Sequence, residues 1–387
     1  MKRTYIGRAR RRQPARAPDA NGTTNGSMHP LDLGVDAMPM QDTVYWDFSG
    51  VSEPSRTGGK TRMYYISAEK VVWDYAPSGR NGVTGSAVEQ TAEKYVVPGP
   101  GRVGSRYAKC VYRAYTDDTF RHPVGRDNGE GYLGLLGPVI RAEVGDTIVV
   151  VFRNACPFTT SIHPQGRWCD TDLDVADGVP PGGTHTYVWR VPEQAGPAPN
   201  DGSSVVWLYH SHTNDVSDTF AGLVGPVEIT RRGTARPDGS PSDVDQEVFA
   251  LFSLMNENAS PFLDENVHRF AERPYPKSLA DEEFVASNLM HAINGYVFGN
   301  QPTIRVRKGE RVRWYVMSIG AEVHPHPPCW YGNAVTLDRI RMDLGKAVAA
   351  RTAVADMVPE HAGVWLFQAH RRDCVDAGMF ASYEVLA

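Results

Sequence analysis

GPVIRAEVGDTIVVVFRN (137–154) joins a short apolar run to a longer one rich in Val and Ile through a Gly-Asp turn, the pattern of two strands. QPTIRVRKGERVRWYVMS (301–318) repeats it, with Pro, Ile, Arg, then Gly with an acid and a strand in the same order. A second pair follows the first. LYHSH (208–212) leads to AGLVGPVEI (221–229), and LFQAH (366–370) leads to AGMFASYEV (377–385). One order repeated at a separation of about 160 residues means two copies of one domain. RRGTARPDGSPSD (231–243) reads as the linker.

The surroundings agree. MYYISAEKVVWDY (63–75) and AKCVYRAYTD (108–117) are β-branched and aromatic runs, bounded by turn clusters such as APSGRNG (76–82) and PPGGT (180–184). Helical periodicity is weak except around SLADEEFVASNLM (278–290). The expected fold is all-β, two β-sandwich domains in tandem over 61–232 and 243–387, after a basic arm reaching to about residue 60.

At 387 residues the chain has room for two cores, and its 41% apolar share is that of a globular protein. A net charge of −5 gives no case for nucleic acid or an anionic membrane. No apolar run approaches the roughly 20 residues that span a bilayer. Residues 1–18 hold seven Lys/Arg and no acid, but a polar, Pro/Gly-rich stretch follows where an export signal would be apolar. The arm is expected to be disordered and the protein cytoplasmic. Five cysteines are not a disulfide framework. Cys156 and Cys169 are the one pair considered, and a reducing compartment would keep both free.

Histidines cluster in SIHPQG (161–166), LYHSH, HPHPPCWYGN (324–333) and LFQAHRRDCVDAGM (366–379). With these, YLGLLGPVIRAEVGDTI, LYHSHTNDVSDTFAGLVGP, NENASPFLDEN and MHAINGYVFGN resemble the cupredoxin domains of the ceruloplasmin family and of bacterial two-domain multicopper oxidases. The resemblance runs from Arg62 to Ala387 and implies a Greek-key cupredoxin fold, copper as cofactor, and homotrimers. In such trimers the copper cluster lies between domain 1 of one subunit and domain 2 of the next.

In a strand, residues i and i+2 share a face some 6–7 Å apart, so a His-x-His pair can give one imidazole to each of two neighbouring ions. Imidazole suits copper. Carried over by position, His163 matches a type 2 ligand, with Cys329 in place of its partner His. One type 3 copper would see Gln165, His210 and His370. The other would see His212, Tyr331 and Gln368. The cluster histidines that survive are thus His163, His210, His212 and His370. At the type 1 site the first His is His326, with His324 as the alternative register. Ala369 stands for the Cys, Cys374 for the second His, and Met379 is the axial Met. Asp170, Asp172, Asp174 and Asp177 fall where ceruloplasmin-like domains carry calcium, and a solvated loop is the plainer reading.

The implied function is a copper oxidoreductase with a reduced, mono- or dinuclear remnant of the cluster. It would oxidise a small organic substrate with dioxygen, in specialised biosynthesis. The alternative is a non-catalytic cupredoxin scaffold or copper-binding protein. Ala369 argues against a conventional laccase or ferroxidase, because the sulfur that joins the type 1 copper to the cluster is missing.

Overall fold

TIVVVFRNA (147–155) alternates strictly between inward and outward side chains, and Ile148, Val150 and Phe152 lie fully buried. That period of two makes it one wall of a sandwich. The computed structural model describes residues 58–126, 129–165, 178–276, 278–320, 326–343 and 352–387, all within one unit, Ser55–Ala387. The basic arm, Cys169, the acidic loop of Asp170, Asp172, Asp174 and Asp177, and His324 lie outside the described residues.

In the first half the strands are β1 (Thr61–Asp74), β2 (Arg106–Tyr115), β3 (Ile140–Glu143), β4 (Thr147–Ala155), β5 (His163–Pro164), β6 (Thr184–Arg190), β7 (Ser204–His210) and β8 (Val224–Thr230). They form two sheets, ordered β2-β1-β4-β6 and β3-β8-β7-β5. The second half holds β9 (Gln246–Asn256), β10 (Leu289–Ile293), β11 (Ile304–Arg307), β12 (Val312–Ile319), β13 (Pro328–Trp330), β14 (Val335–Leu337), β15 (Ile340–Met342), β16 (Thr352–Met357), β17 (Gly363–Ala369) and β18 (Phe380–Leu386). Its sheets are β10-β9-β12-β16-β14-β15 and β11-β18-β17-β13. The repeat is therefore one of topology as well as sequence: β1 runs parallel to β4 as β9 does to β12, and β3 parallel to β8 as β11 does to β18. The fold is a tandem of two cupredoxin-type sandwiches.

Short helices fill the connections: α1 (Glu93–Val96), α2 (Asp215–Ala221), α3 (Leu263–Phe270), α4 (Glu282–Ser287) and α5 (Arg372–Asp376). The helix expected over 278–290 shrinks to α4. Asp281 caps it by accepting from the N–H groups of Glu283 and Phe284, and pairing with β9 draws Leu289 and Met290 into β10. Helix α3 places Leu263, Val267 and Phe270 on one face at i, i+4 and i+7, a run of two turns too short to stand out in the sequence.

The two repeats differ in burial. Strand β12, VRWYVMSI, is buried on both faces except at Ile319. Its outward side chains meet the first half: Tyr315 donates to Glu228 Oε1 at 2.8 Å, and Arg313 Nη1 donates to Ser204 Oγ at 2.9 Å. A core cluster that includes Leu133, Leu136, Leu208 and Val224 of the first half continues into Phe249, Trp314 and Met317 of the second.

Further polar ties cross this boundary. The Asn294-Gly295 turn closes β10 onto Tyr296, both central residues having positive φ as a two-residue hairpin turn requires. Asn294 Nδ2 donates to Tyr132 O at 3.0 Å, and Trp73 Nε1 donates to Gly295 O at 2.6 Å. Deeper in, Lys109 of β2 forms an ion pair with Glu257, both fully buried. Lys109 Nζ also donates to Phe220 O at 2.7 Å, and the Tyr75 hydroxyl donates to Glu257 at 2.5 Å. Burial pulls the Lys109 pKa down and pushes the Glu257 pKa up, each opposed by the other's charge.

The cysteine expectation needs correction. Cys156, just past β4, is bonded to Cys110 of β2, with Cα atoms 6.3 Å apart and a sequence separation of 46. The sequence cannot announce a partner that only the sheet brings near.

Lys109→Met should destabilise the protein by about 3–5 kcal/mol, because it strands a buried carboxylate. Lys109→Met/Glu257→Leu should recover much of that loss. Urea denaturation of both variants checks this, and equal stability of the two would contradict it.

Candidate metal centre

Strands β5 and β7 pair antiparallel, with His163 directly opposite His210 and Gln165 N–H donating to Leu208 O at 2.6 Å. His212 follows two residues after the end of β7. The three rings gather there. His163 and His212 stack at 5.3 Å and 27°, while His210 and His212 lie edge-on at 6.0 Å and 81°.

A small buried network fixes this end of the strands. Ser161 N–H donates to Ser211 Oγ at 3.0 Å, His212 N–H donates to Ser161 Oγ at 2.8 Å, and Ser211 Oγ donates to Asp218 at 2.5 Å. Asp218 is buried in α2, and burial pushes its pKa up. The ring nitrogens are also oriented. His210 Nδ1 lies 3.0 Å from Ser211 O, and His212 Nδ1 lies 2.5 Å from Asp215 Oδ1. A carbonyl and a carboxylate both accept, so each Nδ1 carries the proton and each Nε2 keeps its lone pair. His210, His212 and Asp215 have donor atoms within 4.8 Å of one another. The hydrogen bond makes Asp215 an orienting group beside the imidazoles more than a ligand. Burial first, then the neighbouring His212 and His210, pushes the His163 pKa down to about 4. Imidazoles held in fixed orientations fit copper.

The second half repeats the register with other residues. On β13 and β17, Cys329 faces Gln368 where His163 faces His210, and His370 N–H donates to Pro327 O at 2.8 Å. Gln368 Nε2 lies 3.4 Å from the Tyr331 hydroxyl. A cavity of about 520 Å³ opens here, with Cys329, Tyr331, Arg341, Glu360, His361 and His370 among its walls. Burial raises the Cys329 thiol pKa.

Of the candidate ligands, His163, His210 and His212 thus come together with Gln165, whereas His370 joins Cys329 and Tyr331 elsewhere in the chain. Among the described residues, neither group of three donors lying within 4.8 Å of one another includes His370. His326 and Cys374 meet in the core of the second half together with His291, and Ala369 and Met379 are fully buried in the same core cluster as Cys374. Asp215, His291 and His361 escaped the sequence reading. His291 sat inside the quoted string MHAINGYVFGN, but no spacing ties it to a second ligand.

Residues 131–234 match the multicopper oxidase family. Human ferroxidase HEPHL1 is 37% identical over 340 residues, covering 84% of this chain and 29% of that protein. Human ceruloplasmin is 33% identical over 399 residues, covering 99% of this chain and 37% of that protein. The chain carries a multicopper oxidase domain and is homologous to ceruloplasmin and HEPHL1. A solved multicopper oxidase superposes with a TM-score of 0.50 at 16% identity, covering 84% of this chain and 89% of that one, a likeness of fold. Copper is the metal of this family. This multicopper oxidase homologue spans about a third of the length of the curated relatives it matches, 29% and 37%. The cytoplasmic expectation is overturned, because ceruloplasmin, hephaestin and HEPHL1 are secreted or membrane-anchored extracellular proteins. The Cys110–Cys156 bond agrees with an oxidising compartment. Among the described residues no helix is long and apolar enough to cross a membrane.

Ser211→Ala should cost about 1–3 kcal/mol, since it removes a hydrogen bond from the buried Asp218 carboxyl and the acceptor of Ser161 N–H. A denaturant midpoint that falls at constant m checks this. An unchanged midpoint would mean the network does not hold the strand ends.

Proposed function

We propose that this chain is a copper-dependent oxidoreductase whose cluster is completed between copies. His163, His210 and His212 of one subunit would face His370 of a neighbour, with Gln165, Cys329 and Tyr331 as further donors. The observation that carries this reading is the gathering of three imidazoles, each Nδ1 of the His210 and His212 pair held by an acceptor, away from a fourth at a cavity mouth. A contact between the first half of one copy and the second half of the next is head-to-tail, and we read it as closing into a ring of three, as the resemblance to two-domain multicopper oxidases implies. Copper bound by this reduced ligand set, as one or two ions, would supply one-electron redox chemistry and a position for dioxygen.

The chain's own residues would do the rest. Asp215 and the Ser211 carbonyl hold the imidazoles in one tautomer. The cavity of about 520 Å³ beside His370 is in the range that takes a small organic molecule, and Tyr331 with Trp330 offers it an aromatic wall. Arg341 and Glu360 at the rim, joined at 3.3 Å, would select for a polar group. We therefore favour a phenol, amine or thiol over a bare metal ion, although HEPHL1 bears the name ferroxidase. The competing reading, a cupredoxin scaffold without catalysis, rests on Ala369, whose buried methyl stands where the family's sulfur would be.

Mixing two defective chains tests the proposal. His210→Ala/His212→Ala and His370→Ala should each abolish oxygen consumption with phenol, amine, thiol or ferrous substrates. Co-produced at equal levels, they should restore about a quarter of the wild-type rate, since random mixing leaves that share of head-to-tail contacts intact. No restoration would overturn the shared site. Wild-type protein that takes up no copper would leave the scaffold, and turnover of ferrous iron alone would replace the organic substrate.

A further inference from the structure

A third group of donors lies inside the second half, apart from both half-sites. His291 comes from β10, His326 from the residues before β13, and Cys374 from α5. Their donor atoms all lie within 4.8 Å of one another. The two rings are steeply inclined, 71° with centroids 6.4 Å apart, so they do not stack. His326 and Cys374 are each 1% exposed, and His291 is partly buried.

Each donor is held by structure beyond itself. Pairing with β9 and the Asn294-Gly295 turn fix β10, and with it His291. Cys374 lies within α5, and its carbonyl accepts from Met379 N–H at 2.9 Å. Met379, a further soft donor, is fully buried in the same core cluster as Cys374.

The chemistry of the set is selective. Two imidazoles and a thiolate disfavour calcium and magnesium, which take oxygen ligands, and suit a soft first-row ion. Two His and one Cys beside a Met thioether, shielded from solvent, are the donors that copper takes in trigonal electron-transfer sites. The position-by-position carry-over expected the sulfur at 369, where the chain has Ala, and an imidazole at 374, where it has Cys. In space both donor types are present, with their places exchanged: Cys374 offers the sulfur and His291 the missing imidazole.

We propose that His291, His326 and Cys374 bind one copper ion as a mononuclear thiolate centre with a permuted ligand set. This centre goes beyond the intersubunit site and does not depend on it.

The test loads the full 387-residue chain with copper and records metal content, copper X-ray absorption and electron paramagnetic resonance. Wild-type protein should show a sulfur scatterer bound to copper. Made on a Cys329→Ser background, Cys374→Ser should remove the sulfur scatterer and one copper per chain, and His291→Gln should weaken binding at this site at least about tenfold. Cys329→Ser alone and His210→Ala/His212→Ala should keep a sulfur signal, which separates this centre from the proposed cluster. A wild-type copper shell without sulfur overturns the proposal whether or not the variants fold. So does a sulfur signal that survives Cys374→Ser on the Cys329→Ser background or disappears with Cys329→Ser alone.

Discussion

Glu228 of β8 and Glu247 of β9 sit on opposite sides of the boundary between the halves, and Arg141 of β3 holds both carboxylates at 3.0 Å. Glu228 is fully buried, and its burial, with the charge of Glu247 added, pushes its pKa well up. Without the guanidinium the two acids would repel across a dry interface. With it, and with the Tyr315 hydroxyl at 2.8 and 3.0 Å from the two carboxylates, they close it. The Arg141 guanidinium also lies 5.6 Å from the Phe249 ring, which stacks on Tyr315 at 4.6 Å. Strand β12 can be buried on both faces because this network and the shared core cover its outer side.

That closure constrains the chemistry. A hinge bringing His370 of the second half to His212 of the first would have to expose the Arg141–Glu228–Glu247 group and the Lys109–Glu257 pair to water or to bare apolar surface. Buried charges separated from their partners are costly. On the proposed reading, a single chain would keep its half-sites apart, and a second copy would be the economical source of the missing imidazole.

Much of this architecture was legible in the residues. The echo of 137–154 in 301–318 carried the domain pair, because turn chemistry and period-two patterning are local properties of the chain. The register at the half-sites, His163 opposite His210 and Cys329 opposite Gln368, came only with the structure. What stayed hidden depends on contact. The Cys110–Cys156 bond joins residues whose spacing carries no signature. Asp215 reads as an ordinary acid at a helix start until its oxygen is found 2.5 Å from His212 Nδ1. The uniform burial of β12 comes from the other half of the molecule, which no window of its own sequence contains.

His291 is the sharpest case, because the sequence reading named its neighbours and passed over it. A motif fixes donors by their order along the strand, whereas a metal ion responds only to donors that share a point in space. Moving the sulfur from 369 to 374 takes it off β17, the strand that ends beside His370, and places it on α5. The direct peptide link from 369 to 370 is thereby replaced by a longer route. Cys374 O accepts from Met379 N–H at 2.9 Å, and Met379 O accepts from Ala369 N–H at 3.1 Å, one residue before His370. A metal held by Cys374 would thus be linked to the half-site through two backbone hydrogen bonds where the family pattern has covalent bonds. That lengthened connection distinguishes a rebuilt centre from an inherited one, and it follows from the position of one sulfur atom.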